Sequence, residues 1–230
     1  MTSFPSSPDP FPDPTPDPKP FRLEICPYGD MEIVLKSPVV DATYLVSSHQ
    51  LCCTSPVFRA SLGPQSEFLE AAKLRQECNP ATTDGTEGES LYQMPINSEY
   101  DPTAVATVLY VLHGVAECVP QSIYFDNLLA IAIICDYYDC AGAMRPWDEV
   151  WMKPLKPLAG VAGCEGWLFI AWVFGVQEVF GSMTQRFSRC GVVRDEKFGV
   201  KVNKEVKKMH NHIPEGIIRI YTDWLGESMC

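Results

Sequence analysis

At 230 residues and 46% hydrophobic composition, the chain can build one good core and a smaller appendage, not several domains. A formal charge of −11 gives a surface that repels phosphate, which argues against general binding of nucleic acid or of an anionic membrane. Ten cysteines follow an N-terminus with no charged and apolar leader, so reduced thiols are expected, in an intracellular protein of the cytoplasm and/or nucleus.

Residues 1–24 are expected to form a proline-rich disordered arm, because eight prolines fall within the first twenty residues, from Pro5 to Pro20. Regular proline removes amide donors and fixes φ, which favours an extended, solvated tether or a short recognition segment. From Met31 the sequence alternates. Met31, Ile33 and Leu35 fall on one side of a pleat and Glu32, Val34 and Lys36 on the other, as in a half-buried strand. A second strand over Ala42 to Val46 completes a hairpin, and the hydroxyls of Ser47 and Ser48 can cap the helix that follows.

That helix, beginning near His49, is interrupted at Ser55-Pro56, where Ser serves as N-cap and Pro as first residue of a new helix carrying Val57, Phe58 and Leu62. Residues from about 64 to 90 are polar and acidic and are expected as an insertion loop. A short strand at Leu91 to Ile96 precedes a helix capped by Asp101-Pro102 and stopped at Gly114. Val105, Val108, Leu109 and Leu112 share its core-facing side. Phe125 to Tyr138 is apolar almost all round and is expected at the centre of the core.

Beyond Ala141 come Trp147, Trp151 and a proline-punctuated stretch, then a predicted helix from Trp167 to about Arg189 and a last one near Pro214 to Leu225. The apolar run Trp167 to Val176 falls short of the roughly 18 to 20 residues a bilayer needs and predicts a buried helix, with no membrane span. Such a helix must bury its apolar surface, and docking on its own chain is the expectation. Between Arg186 and Lys208 eight basic residues stand against three acidic ones, a local excess of five positive charges. Its simplest explanation is a solvated helix face.

Little points to catalysis or to a cofactor. No P-loop, G-x-G-x-x-G, G-x-S-x-G or H-E-x-x-H occurs, and no C-x-x-C pair exists for a metal. His49 lies one helical turn from Cys52 and Cys53, which allows thiol chemistry, although core cysteines beside a histidine explain the same spacing.

The order of these elements resembles the BTB/POZ domain over approximately Ile25 to Ala143. The resemblance rests on Asp30 before the first strand, Tyr44-Leu45-Val46 entering the first helix, Leu51, the run Ser55-Pro56-Val57-Phe58, the segment Tyr92 to Asp101, and an apolar helix ending in Asp136-Tyr137-Tyr138. It implies an α+β fold, a small sheet flanked by a cluster of helices, over residues 25–143, with a helical extension over 144–230. The run Trp167 to Gly175 resembles the tail of a group of fungal BTB-domain proteins, a likeness that implies a fold and no activity. Where the family often carries a basic pair after the entering Val, this chain has Ser47-Ser48, so Asp30 lacks the basic partner expected at the usual dimer interface.

The resemblance implies a non-enzymatic adaptor or assembly protein without cofactor, whose partners are proteins: further copies of itself or a cullin-type scaffold. A cullin-type ubiquitin-ligase adaptor requires an apolar-x-Glu segment after the split helix, and Phe68-Leu69-Glu70 sits at that place. Together with Asp30 these are the candidate protein-binding residues. A transcription-associated role is a further alternative, without the zinc fingers that usually accompany it.

Overall fold

The computed structural model describes residues 20–38, 40–77, 91–161, 163–194, 197–202 and 205–208, with side chains placed through residue 186 except at residue 77. The first sheet has the order β1-β3-β2-β4, formed by β1 (Phe21–Glu24), β2 (Met31–Lys36), β3 (Asp41–Val46) and β4 (Tyr92–Pro95). It is mixed: β2 and β3 form the expected antiparallel hairpin, with Ile33 opposite Tyr44, while β1 runs parallel to β3 and β4 parallel to β2. With eight helices among the described residues, the fold is α+β.

The alternation read from the sequence fixes which face of the sheet is inward. Met31, Ile33 and Leu35 on β2 and their partners Val46, Tyr44 and Ala42 on β3 are all buried. The other face is braced by a polar bridge across strands. The Arg22 Nε donates to Glu32 Oε1 at 2.8 Å and the Gln93 amide to Glu32 Oε2 at 2.9 Å. The arm expected through residue 24 therefore ends earlier, because Phe21–Glu24 finds a strand partner in β3. The expectation for residues 1–19 lies outside the described residues.

Helices α1 (Ser48–Thr54) and α2 (Pro56–Leu62) pack against each other on either side of the Ser55 break. Ser55 caps α2 as expected, its Oγ accepting the Phe58 N–H at 3.0 Å. At the start of α1 the expected hydroxyl cap is missing: Ser47 makes no side-chain cap bond. The stretch expected as a loop contains α3 (Leu69–Glu77), whose inward face consists of Ala71 and Leu74; residues 78–90 lie outside the described residues.

Helix α4 (Pro102–Leu112) is capped by Asp101, whose Oδ2 accepts the Ala104 N–H at 2.6 Å, and Val105, Val108, Leu109 and Leu112 are buried. The buried Tyr44 hydroxyl donates to the Pro102 carbonyl at 2.9 Å, tying β3 to the first turn of α4. Helix α5 (Phe125–Tyr137) packs against α4, α6 and α7, as its all-round apolarity requires. Leu128, Leu129, Ile131 and Ile134 are buried along it.

The tail folds back onto this core. In α6 (Arg145–Leu155) the buried Trp151 donates its indole N–H to the Pro120 carbonyl at 2.7 Å. The five residues Trp167 to Ala171 of α7 (Trp167–Val173) are buried and the helix packs on α5, so the apolar run docks on its own chain. Close approach needs Gly166, where a Cβ would meet the Leu129 side chain at 2.9 Å.

Two expectations for the tail need correction. The single helix predicted from Trp167 to about Arg189 is broken: α7 stops and α8 (Gln177–Cys190) begins after Gly175, which adopts φ +69°, a conformation that ends helices and suits glycine. The basic segment is not a helix face beyond Cys190. Its backbone forms a second, antiparallel sheet of β5 (Gly191–Arg194), β6 (Lys197–Val202) and β7 (Glu205–Lys208), so the extension is not purely helical. The helix predicted near Pro214 lies outside the described residues.

Candidate protein-interaction surface

A short polar bracket sets the entry to α3. The Ser66 Oγ donates to the Ser61 carbonyl at 3.3 Å and accepts the Phe68 N–H at 3.2 Å, and Arg75 donates to the Pro64 and Ser66 carbonyls at 3.3 and 3.2 Å. Anchored so, and held inward by Ala71 and Leu74, the helix leaves Phe68 and Leu69 60% and 64% exposed. Glu70 occupies the first turn, where the helix dipole favours a carboxylate. Two large apolar side chains standing in water beside a charge have the make-up of an interface anchor.

A second concavity lies between the β4–α4 connection and α5, with a volume of about 200 Å³. Leu129, Ala130 and Ile133 supply its apolar floor and Glu99, Asp101 and Asp126 an acidic rim. Tyr100 lines it and meets Tyr137 edge to face, ring centroids 6.5 Å apart. Burial, with Tyr137 adding, pushes the Tyr100 phenol up to about 12, so it stays protonated. Tyr124 and Tyr137, at 83% and 64% exposure, stand at either end of α5. The groove suits an apolar segment with basic flanks.

Sequence reasoning missed this groove. A signal was present in α5, where Asp126, Ala130, Ile133 and Tyr137 fall at i, i+4, i+7 and i+11, an outward stripe hidden within an otherwise apolar helix.

Asp30 is satisfied within the chain. Its Oδ1 accepts the Ser48 N–H at 2.7 Å and its Oδ2 the Ser48 hydroxyl at 2.6 Å, so the residue standing in place of a basic partner is itself the donor. Beside it the Ser47 N–H donates to His113 Nε2 at 3.0 Å, while His113 Nδ1 lies 2.8 Å from the Leu109 carbonyl. An amide facing Nε2 requires that nitrogen to accept, so Nδ1 carries the proton and the ring is neutral. Burial lowers the imidazole below its ordinary value, opposed by the backbone hydrogen bonds and by Asp30.

In the tail, a cavity of about 630 Å³ is lined by one face of α6 and its continuation, Arg145, Asp148, Glu149, Met152, Lys153 and Lys156, with Phe174 and Val176 across from it. Burial raises the Asp148 carboxyl, with Arg145 opposing. Three cations mixed with two carboxylates select no single ligand charge.

Among the described residues no group of three metal-ligating side chains assembles, and no helix is long and apolar enough to cross a membrane. The structure does bring His49 and Cys53 together, with Nε2 and Sγ 3.6 Å apart and both residues exposed. The chain matches none of the protein-family models compared with it, and no curated protein matches it.

Proposed function

We propose that this chain is a BTB/POZ-type protein-interaction module, a non-enzymatic adaptor or assembly protein of the cytoplasm and/or nucleus. Support comes from the element order, from the split helix pair hinged at Ser55-Pro56, and from the docked tail. The observation that carries it is the exposure of Phe68 and Leu69 at the start of a helix firmly anchored one turn later. Burying one such side chain in a partner stabilises a complex by roughly 1.5–3 kcal/mol. The acid-rimmed groove on α5 offers that partner a second contact, favouring basic residues.

A cullin-type scaffold is the partner that Phe68-Leu69-Glu70 favours, because both apolar side chains are accessible and Glu70 follows them in the first turn. Titration calorimetry of the purified chain with a cullin N-terminal domain tests this. The expected outcome is binding by wild type and its loss in a Phe68→Ala, Glu70→Ala variant of unchanged melting temperature. Absence of binding by wild type removes the ligase reading and leaves assembly. Light scattering then decides: a mass above the 25.7 kDa of one chain supports self-assembly, and a monomer counts against it.

A further inference from the structure

Helix α1 carries a histidine and two cysteines whose surroundings differ sharply. Cys52 is half-buried, points its thiol at the Phe58 carbonyl 3.6 Å away, and is pushed up by burial. Cys53 is exposed, and its Sγ lies 3.6 Å from His49 Nε2, one turn earlier on the same helix face. From the last turn of α2, Arg59 donates to the carbonyls of Cys52 and Cys53 at 2.8 and 3.3 Å, which fixes a guanidinium charge against the end of α1. An accessible thiol with a base in contact and a fixed cation nearby is the environment in which cysteines become nucleophilic.

We propose that Cys53 is a site of reversible thiol modification, with His49 as the proton acceptor that activates it and a small disulfide of the glutathione class as co-reactant. His49 Nε2 takes the Cys53 proton, and the thiolate attacks one sulfur of the disulfide. The Cys53–sulfur bond forms as the disulfide bond breaks, and the departing thiolate takes the proton back from His49. One thiol and one disulfide become a mixed disulfide and a thiol, so no further oxidant is consumed.

The product stops at the mixed disulfide. Consecutive Cα atoms are about 3.8 Å apart, shorter than the roughly 4.4–6.8 Å span of a disulfide, so Cys52 cannot resolve it while α1 is intact. The other described thiols lack the arrangement. Cys135 and Cys140 are buried, and the exposed Cys118 lies beside the Tyr110 hydroxyl instead of a base.

Cys118 therefore provides an internal reference. The full chain is incubated with glutathione disulfide at neutral pH, and modification of each cysteine is followed by peptide-resolved mass spectrometry. Cys53 is expected to react at least about tenfold faster than Cys118, reversibly with dithiothreitol, and His49→Asn to bring the two rates together. Equal rates in wild type, or an excess at Cys53 that survives His49→Asn, overturns the proposal. His49 is exposed, so His49→Asn is expected to keep the wild-type melting temperature, and wild-type Cys53 reacting no faster than Cys118 overturns the proposal without any variant.

Discussion

The hydroxyl of Ser55 donates to the carbonyl oxygen of Tyr138 at 2.5 Å while accepting the Phe58 N–H at 3.0 Å, so one fully buried side chain caps α2 and ties it to the end of α5. The Phe58 and Tyr138 rings stack directly beside it, centroids 4.3 Å apart and 8° from parallel. Ser55→Ala removes the cap and leaves a buried carbonyl without this donor. A loss of about 2–3 kcal/mol is expected from the two effects together. Urea denaturation measures it, and a loss under about 0.5 kcal/mol would show that the bond contributes nothing net.

His113 makes stability depend on pH. Its folded-state value is depressed by burial, so the unfolded chain binds a proton more readily than the folded one. The stability this neutral ring contributes is complete above its ordinary value of about 6.5 and is lost as pH falls from there through the folded value. His113→Gln cannot titrate. Melting temperatures of wild type and variant should therefore run parallel above about pH 7 and converge or cross toward pH 5; a constant difference over that range would show that protonation at His113 is not linked to folding.

Leu109, 3% exposed on the inward face of α4, borders an apolar pocket with Ile33, Phe58, Val105 and Ile134. A carboxylate there would have no partner and no water. Leu109→Asp is expected to cost more than about 4 kcal/mol, enough to leave a marginal domain unfolded. Far-ultraviolet circular dichroism would report the loss of helix; a cooperative transition near the wild-type midpoint would mean that α4 is less central than its burial indicates.

What could be read in the sequence was what acts over short range. Ser55-Pro56 and Asp101-Pro102 announce helix starts because cap and proline act on their own first turn, and Met31 to Leu35 announces a strand because alternation is local. The parallel partners were harder. Phe21–Glu24 reads as the end of a proline-rich arm, and only pairing with β3, some twenty residues on, makes it a strand. Among the described side chains of helix α3 only Ala71 and Leu74 are buried, so its polar composition reads as loop. In Lys197 to Val202 the alternation of a strand was present but was outweighed by a count of charges. Phe68-Leu69-Glu70 came from a resemblance, whereas the groove needed the β4–α4 connection set against α5, which no local pattern encodes.

Trp167 couples tail to core and carries a built-in conflict. Its ring is fully buried, 6.2 Å from that of Phe125 across the α5–α7 contact, yet among the described residues its indole N–H has no hydrogen-bond partner. Removing the ring leaves a cavity, so Trp167→Ala should cost about 3–5 kcal/mol and release α7 from α5. Trp167→Phe removes part of the ring but also the unsatisfied donor, whose burial costs about 1–3 kcal/mol. The smaller volume and the lost conflict offset each other, and a change under about 1.5 kcal/mol is expected. Comparing the two variants by urea denaturation separates packing from polarity. Equal, large losses would show that the indole nitrogen is satisfied in solution and that the tail is held by that bond as well as by apolar contact.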